Sequence, residues 1–492
     1  MAKKSKKILN IILIGILFCF SANYVFSVEE DEHDEFFRAV EVKNGSILSI
    51  KNCVALAFQN SPKIRRKKYE LDMAKSNVGI AKSAYFPVIG AGVGLNFERN
   101  SNDVYYDKRY RDLPVVGVSV NKMVWDFGKT TDNIKMEEFF KIGAEYEFMD
   151  ELCHTLFDVK AKYYNLLKAQ ALLNAAENNI KINENFVKIS KGEPDLSAAK
   201  VNLQEAKIKY IEAENNFNNV KYDLSNSMYL ENQSDYKIEN TPTFTYNDNL
   251  LYGKSQKVEV KPFEPFVFPF KEENAVNIAY ENSPDLKVLE NTKKAMEHSL
   301  KYIKKEYFPE LNAGVGYNFN NTNFATNNNL TVGVNLSSQA NLMELKHKIK
   351  GADAQLAVAD NEINLFKKDL YYEVKRALNN VERAKKQVPA AKEEVEQAII
   401  TLKTAENGYI GKKLNYIALQ EAGKDYIKAL NTYIESVYNY NMALIQTEMA
   451  MHCHLIDIHH KSQHAMHHHS EELIRHLNNA LECNKKEKHK NK

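Results

Sequence analysis

The sequence predicts an α+β chain that is internally duplicated, with long antiparallel coiled helices and four β-strands. Three observations carry this. A set of short motifs returns at one constant offset, four segments alternate apolar and small polar residues, and apolar residues recur every seventh position over long stretches.

The duplication comes first because repeats decide architecture. Ala57-Phe58-Gln59-Asn60-Ser61-Pro62 returns as Ala279-Tyr280-Glu281-Asn282-Ser283-Pro284, and Tyr85-Phe86-Pro87 as Tyr307-Phe308-Pro309. Ala91-Gly92-Val93-Gly94 returns as Ala313-Gly314-Val315-Gly316, and Asn96-Phe97 as Asn318-Phe319, always 222 residues on. The expected organisation is a signal peptide at 1–27, a first repeat at 28–231, a linker at 232–271, a second repeat at 272–451 and a His-rich flexible tail at 452–492. Each repeat reads as a helix, two strands, a long helical hairpin and its tip.

In chain order, Lys3, Lys4, Lys6 and Lys7 precede the apolar run Ile8–Phe20, which is too short for a spanning helix and ends near the small Ser27. Leu17 and Phe18 before Cys19 are too large for a lipoprotein signal. Ser61-Pro62 and Ser283-Pro284 pair a capping serine with a first-turn proline, so a helix should run from each to Tyr-Phe-Pro. Ile89, Ala91, Val93, Leu95 and Phe97 alternate with glycines and Asn96; Val116, Val118 and Val120 alternate with Gly117, Ser119 and Asn121. In the second half, Leu311, Ala313, Val315, Tyr317 and Phe319 alternate with Asn312, Gly314, Gly316 and Asn318. Leu330, Val332, Val334 and Leu336 alternate with Thr331, Gly333, Asn335 and Ser337. Such strands suit a boundary between lipid and a watery lumen, although a soluble half-buried hairpin alternates in the same way. The polar stretches 98–113 and 320–329 read as loops, with Lys108, Arg109 and Arg111 on a solvated surface.

The helices follow. Leu152, Val159, Leu166, Leu173, Ile180 and Val187 keep a seven-residue beat, as do Val374, Val381, Val388, Val395, Leu402 and Tyr409. Return helices carry Leu203, Tyr210, Phe217, Leu224 and Leu419, Tyr426, Tyr433, Tyr440, each beside a line of small residues. Large beside small is what knobs and holes require, so the tyrosines read as packing rather than a ligand cage. Pro389 should bend the second long helix locally. The prolines at 242, 262, 265 and 269 break any helix in the linker.

Composition excludes several functions. The 66 basic and 64 acidic residues nearly cancel, which offers no nucleic-acid footprint. No phosphate loop, Cys-x-x-Cys pair or Ser/His/Asp arrangement is found, so no enzyme or cofactor is expected. Cys53 and Cys153 read as small buried hydrophobes. Ten of the 14 histidines follow residue 451. His452, Cys453, His454, His459 and His460 are the metal-ligand candidates of that tail, but their spacing fits no closed four-ligand site.

Four strands cannot close a membrane barrel. Two chains give eight strands with a filled interior, and three give twelve with a lumen. The Asn-Ser-Pro helix starts, the Tyr-Phe-Pro before a glycine-alternating strand, Trp125-Asp126-Phe127-Gly128 after the second strand and the duplicated order resemble the TolC-like outer-membrane efflux proteins, over about 45–450. The resemblance implies a homotrimer with a twelve-stranded barrel in outer-membrane lipid and an α-helical periplasmic tunnel. It implies a periplasmic adaptor and an inner-membrane transporter as partners, in drug efflux or type I secretion. The family's acidic entrance ring is missing: the second tip reads Gly411-Lys412-Lys413-Leu414-Asn415, and in the stretch 411–421 only Glu421 is acidic. Glu193, Asp195, Lys412, Lys413 and Glu421 are therefore the entrance and adaptor-contact candidates. A structural coiled-coil protein explains the heptads but not the strands, and a periplasmic metal-binding protein explains only the tail.

Overall fold

A computed structural model describes residues 42, 45–98, 111–230, 235–239, 272–321, 326–338 and 341–452. The signal peptide, Lys108, Arg109, the prolines of the linker, and Cys453, His454, His459 and His460 lie outside those residues.

Both Ser-Pro motifs act as the sequence predicts. After β1 (Ile47–Leu48) and α1 (Ile50–Asn60), the Ser61 hydroxyl accepts from the Ile64 N–H and Pro62 opens α2 (Pro62–Ser83). In the second repeat α5 (Glu272–Asn282) meets Ser283, which accepts from the Leu286 N–H, and Pro284 opens α6 (Pro284–Lys304). Proline at the first helical position gives up an N–H that has no intrahelical partner anyway. Each helix delivers the chain to a strand pair: β2 (Val88–Glu98) with β3 (Arg111–Trp125), and β5 (Glu310–Asn321) with β6 (Thr326–Ser337). The intervening β4 (Lys237–Ile238) pairs in parallel with β1.

The strands are longer than the alternation alone indicates. Glu98, Arg111–Leu113, Asn320–Asn321 and Thr326–Asn329 extend the ladders into the stretches read as loops. Polar residues hide a strand end because side-chain pattern, unlike backbone pairing, stops where the apolar band stops. Pro114 is accommodated because pairing of β3 with β5 begins only at Val115.

From each strand pair the chain enters a long helix. Asp126 sets the first one: its carboxylate accepts the Gly128 N–H at 2.9 Å and the Thr130 N–H at 2.5 Å, capping α3 (Lys129–Ile189). Gly128 has φ 81°, a left-handed conformation natural to glycine. Phe127 stacks between Trp125 at 4.3 Å and Phe308 at 5.1 Å, tying the cap to the second repeat. α3 and α7 (Leu342–Ile410) contain 61 and 69 residues, about 92 and 104 Å at 1.5 Å per residue. They return as α4 (Glu193–Ser227) and α8 (Tyr416–Met451). Toward the tips the helices lie side by side in the order α4, α3, α8, α7; toward the sheet the order is α2, α3, α6, α7. Pro389 lies within α7 without ending it.

The seven-residue beat is buried throughout α7 and only in part along α3. Val374, Val381, Val388, Val395, Leu402 and Tyr409 are all buried, against buried Leu419, Tyr426, Tyr433 and Tyr440. In α3, Leu152, Val159 and Leu166 are buried, whereas Leu173, Ile180 and Val187 are half-buried; Ala175, Ile182 and Phe186 are buried there, and Val187 packs against the same core. α3 changes partners along its length. In α4, Leu203, Tyr210 and Phe217 stay half-exposed and only Leu224 is fully buried, because α4 packs mainly on α3.

Candidate functional site

The sheet has the order β2-β3-β5-β6, and among the described residues neither outer strand has a further neighbour. Residues directly opposite one another share a face, and the register sorts the two faces completely through the middle of the sheet. Ile89, Val120, Val315 and Val332 form one row, and Ala91, Val118, Tyr317 and Leu330 the next. The alternate rows are Gly90, Ser119, Gly316, Thr331 and Gly92, Gly117, Asn318, Asn329. Ile89, Val93, Val118, Val315 and Val334 therefore lie on one apolar face, and Gly92 and Asn335 on the other. At the joint between repeats, a Cβ on Gly117 would overlap the Asn318 carboxamide, and one on Gly314 that of Asn121. The two amides thus seat reciprocally across the β3–β5 ladder, each over a glycine.

The tips lie at the opposite end of the long helices. The first turns at Gly192, with φ 97°. The second closes around Gly408, whose carbonyl accepts from the Lys413 and Leu414 N–H groups, with Lys412 left-handed at φ 58°. Tyr409 joins the tips: its hydroxyl accepts the Lys191 N–H at 2.9 Å and donates to the Asp195 carboxylate at 2.8 Å. Burial raises the Tyr409 phenol above its usual range, so it stays a donor at neutral pH. Lys191 Nζ reaches the Ile410 carbonyl at 3.1 Å. Farther along, Asn202 donates to Tyr416 at 3.1 Å and accepts from Gln420 at 2.9 Å, and Asn178 donates to buried Tyr426 at 3.2 Å.

Of the entrance candidates, Asp195 is engaged by Tyr409. Glu193 opens α4, Lys412 and Lys413 form the second turn, and all three are exposed. Glu421 is exposed on α8, past the turn. Sequence reasoning missed Tyr409 and Lys191. Tyr409 was visible only as the last member of a packing stripe, and nothing in its spacing marks the hydroxyl.

Of the tail candidates, His452 is the C-cap of α8 at φ 46°. Its Nδ1 is buried without a hydrogen-bond partner, and burial pushes the imidazole down to about 4. Among the described residues no group of three or more His, Cys, Asp or Glu is placed to hold a metal. Burial pushes the Cys53 and Cys153 thiols up to about 12, so both stay protonated and unreactive at neutral pH.

The family described as outer membrane efflux protein matches residues 54–228 and again 275–448, once in each repeat. The chain belongs to this family. Membership places it among proteins of the outer membrane. It is 25% identical over 127 residues to outer membrane protein TolC of Vibrio cholerae, an alignment covering 25% of this chain and 29% of the relative's length. Solved structures of outer-membrane channels share the fold over most of the chain. The outer-membrane channel OprN superposes with a TM-score of 0.68 at 12% identity, covering 82% of this chain and 90% of its own. The CmeC outer membrane channel of Campylobacter jejuni gives 0.67 at 15% identity, covering 84% and 89%.

Proposed function

We propose that the chain is the exit duct of a tripartite efflux or type I secretion system: three copies form a channel through the outer membrane that continues as a helical tunnel into the periplasm. The observation that carries this is the four-stranded sheet whose two outer strands have no further partner among the described residues, with one apolar face and one glycine–asparagine face. An unpaired strand edge in hydrocarbon leaves backbone groups unsatisfied, so β6 of one copy must pair with β2 of the next. Strands of 11 to 15 residues meet or exceed the length of about 9–11 that a tilted membrane strand needs. The helical layer has matching open edges, with Val201, Ile208 and Ile211 exposed on α4 and Val358, Leu365 and Ile400 on α7.

In this reading the duct is passive. A periplasmic adaptor docks near the tips and an inner-membrane transporter supplies the energy. Glu193, Lys412 and Lys413 ring the mouth in three copies, where opposite charges on neighbouring subunits hold it narrow. Purified protein is expected to run as a heat-resistant trimer from outer-membrane detergent extracts and to conduct ions in planar bilayers. Recovery as a monomer in the soluble periplasmic fraction would refute the duct.

A further inference from the structure

The apolar face of the sheet carries one charged side chain among those described. Lys122 lies opposite Ala313, which lies opposite Val334, at the end of the sheet nearest the helices. It is exposed and makes no ion pair among the described residues. Directly below it β3 bulges: Met123 pairs with Asn312 and Trp125 with Leu311, leaving Val124 as the extra residue. Without that residue Trp125 would fall on the polar face; with it, Trp125 returns to the apolar face beside Lys122. Trp125 is 56% exposed and is the chain's only tryptophan. It heads the stack that runs through Phe127 and Phe308 to Tyr307.

A lysine on a lipid-facing strand is costly at the membrane midplane and nearly free at the interface. The register gives the depth. On β3, Asp112 lies opposite Phe97, and ten residues separate it from Lys122, about 33 Å along the strand at 3.3 Å per residue. Tilted by about 40°, that rises about 25 Å, the height of the apolar band of a membrane barrel. Lys122 thus falls at the inner rim of the band, where phosphates lie, and Trp125 just below it, at the wet end where an indole N–H finds partners.

We propose that Lys122 and Trp125 form a phospholipid site on the inner leaflet, the ammonium taking the headgroup phosphate and the indole bracing the headgroup from below. The site favours headgroups of net negative charge, because a zwitterionic headgroup brings its own competing cation. It rests on the membrane-duct reading above, and one measurement separates the two.

The protein is reconstituted into phosphatidylcholine vesicles containing the same minor fraction of brominated phosphatidylglycerol or brominated phosphatidylcholine, and quenching of Trp125 fluorescence is read. One lysine near an anionic surface corresponds to about a fivefold preference, so phosphatidylglycerol should occupy the site about fivefold more readily. Lys122→Arg should keep the preference and Lys122→Gln should reduce it to near one, with conductance unchanged in both. Free inorganic phosphate should leave quenching as it was. Equal quenching by the two lipids in conducting vesicles, a preference that survives in Lys122→Gln, or competition by free phosphate overturns the lipid site alone. No quenching by either lipid together with no conductance overturns the duct as well.

Discussion

Replacing Tyr409 by Phe removes one oxygen and leaves the ring against Tyr416, whose centroid lies 6.1 Å away. What is lost is the pair of bonds at 2.9 and 2.8 Å that join the Lys191 backbone and the Asp195 carboxylate to the second tip. A neutral hydrogen bond contributes about 1 kcal/mol net and one to a charged group about 1.5–3 kcal/mol. The tip is wet, so water replaces part of both, and about 2 kcal/mol per subunit is the expected loss. If subunits loosen one at a time, the closed-to-open ratio of each falls about 30-fold; if three move together, about 6 kcal/mol is lost and the ratio falls about 10⁴-fold. The Lys191 Nζ and Asn202 bonds remain, so the duct should still assemble. Single-channel recording of the purified trimer should show a larger open fraction with unchanged fully open conductance. Wild-type gating from a correctly assembled Tyr409→Phe trimer would show that this hydroxyl does not hold the mouth.

Other outcomes follow from the same geometry. Val118→Arg on the lipid face should cost about 2–4 kcal/mol and impair assembly, whereas Gly92→Arg should assemble and conduct less; equal assembly defects would reverse the assignment of faces. Lys412→Glu with Lys413→Glu should widen or destabilise the closed mouth, more at low salt because exposed charges are screened over about 8–10 Å; identical gating at every salt concentration argues against bridging. Truncation after His452 should leave trimers and export intact, as judged by heat-resistant migration and cargo efflux. The buried imidazole of His452 binds its proton only near pH 4, against about 6.5 when unfolded. Stability should therefore fall as pH drops from about 6.5 to about 4, by up to about 3 kcal/mol. The His452→Asn variant should lose that slope in urea titrations; Asp285, raised by burial and by Asp150, contributes equally to both proteins.

The fold was legible where one residue type has one physical reason to be there. Ser61 and Ser283 cap helices, and the valine–glycine alternation separates two faces of a sheet. Such local rules survive into the structure because the duplicated chain states them twice. Legibility failed where partners decide. The stripe through Leu173 and Ile180 looked as regular as that through Val388, Val395 and Leu402, but α3 meets different neighbours along its length, and Ile182 and Phe186 are buried where Leu173 and Ile180 are only half-buried. The same limit hid Tyr409, whose hydroxyl matters only because residues 191 and 195, more than two hundred positions away, are folded against it.

The carpet of glycine on the polar face has a genetic corollary. In a threefold assembly a single codon is read out in triplicate at one height of the passage. Exchanging Gly92 or Gly316, which have open space before them, for a large residue would plant three obstructions around one ring. Tolerance along these strands should therefore follow bore rather than stability: a substitution that leaves the fold untouched can still throttle traffic, and the bulkiest cargo should be the first to stall.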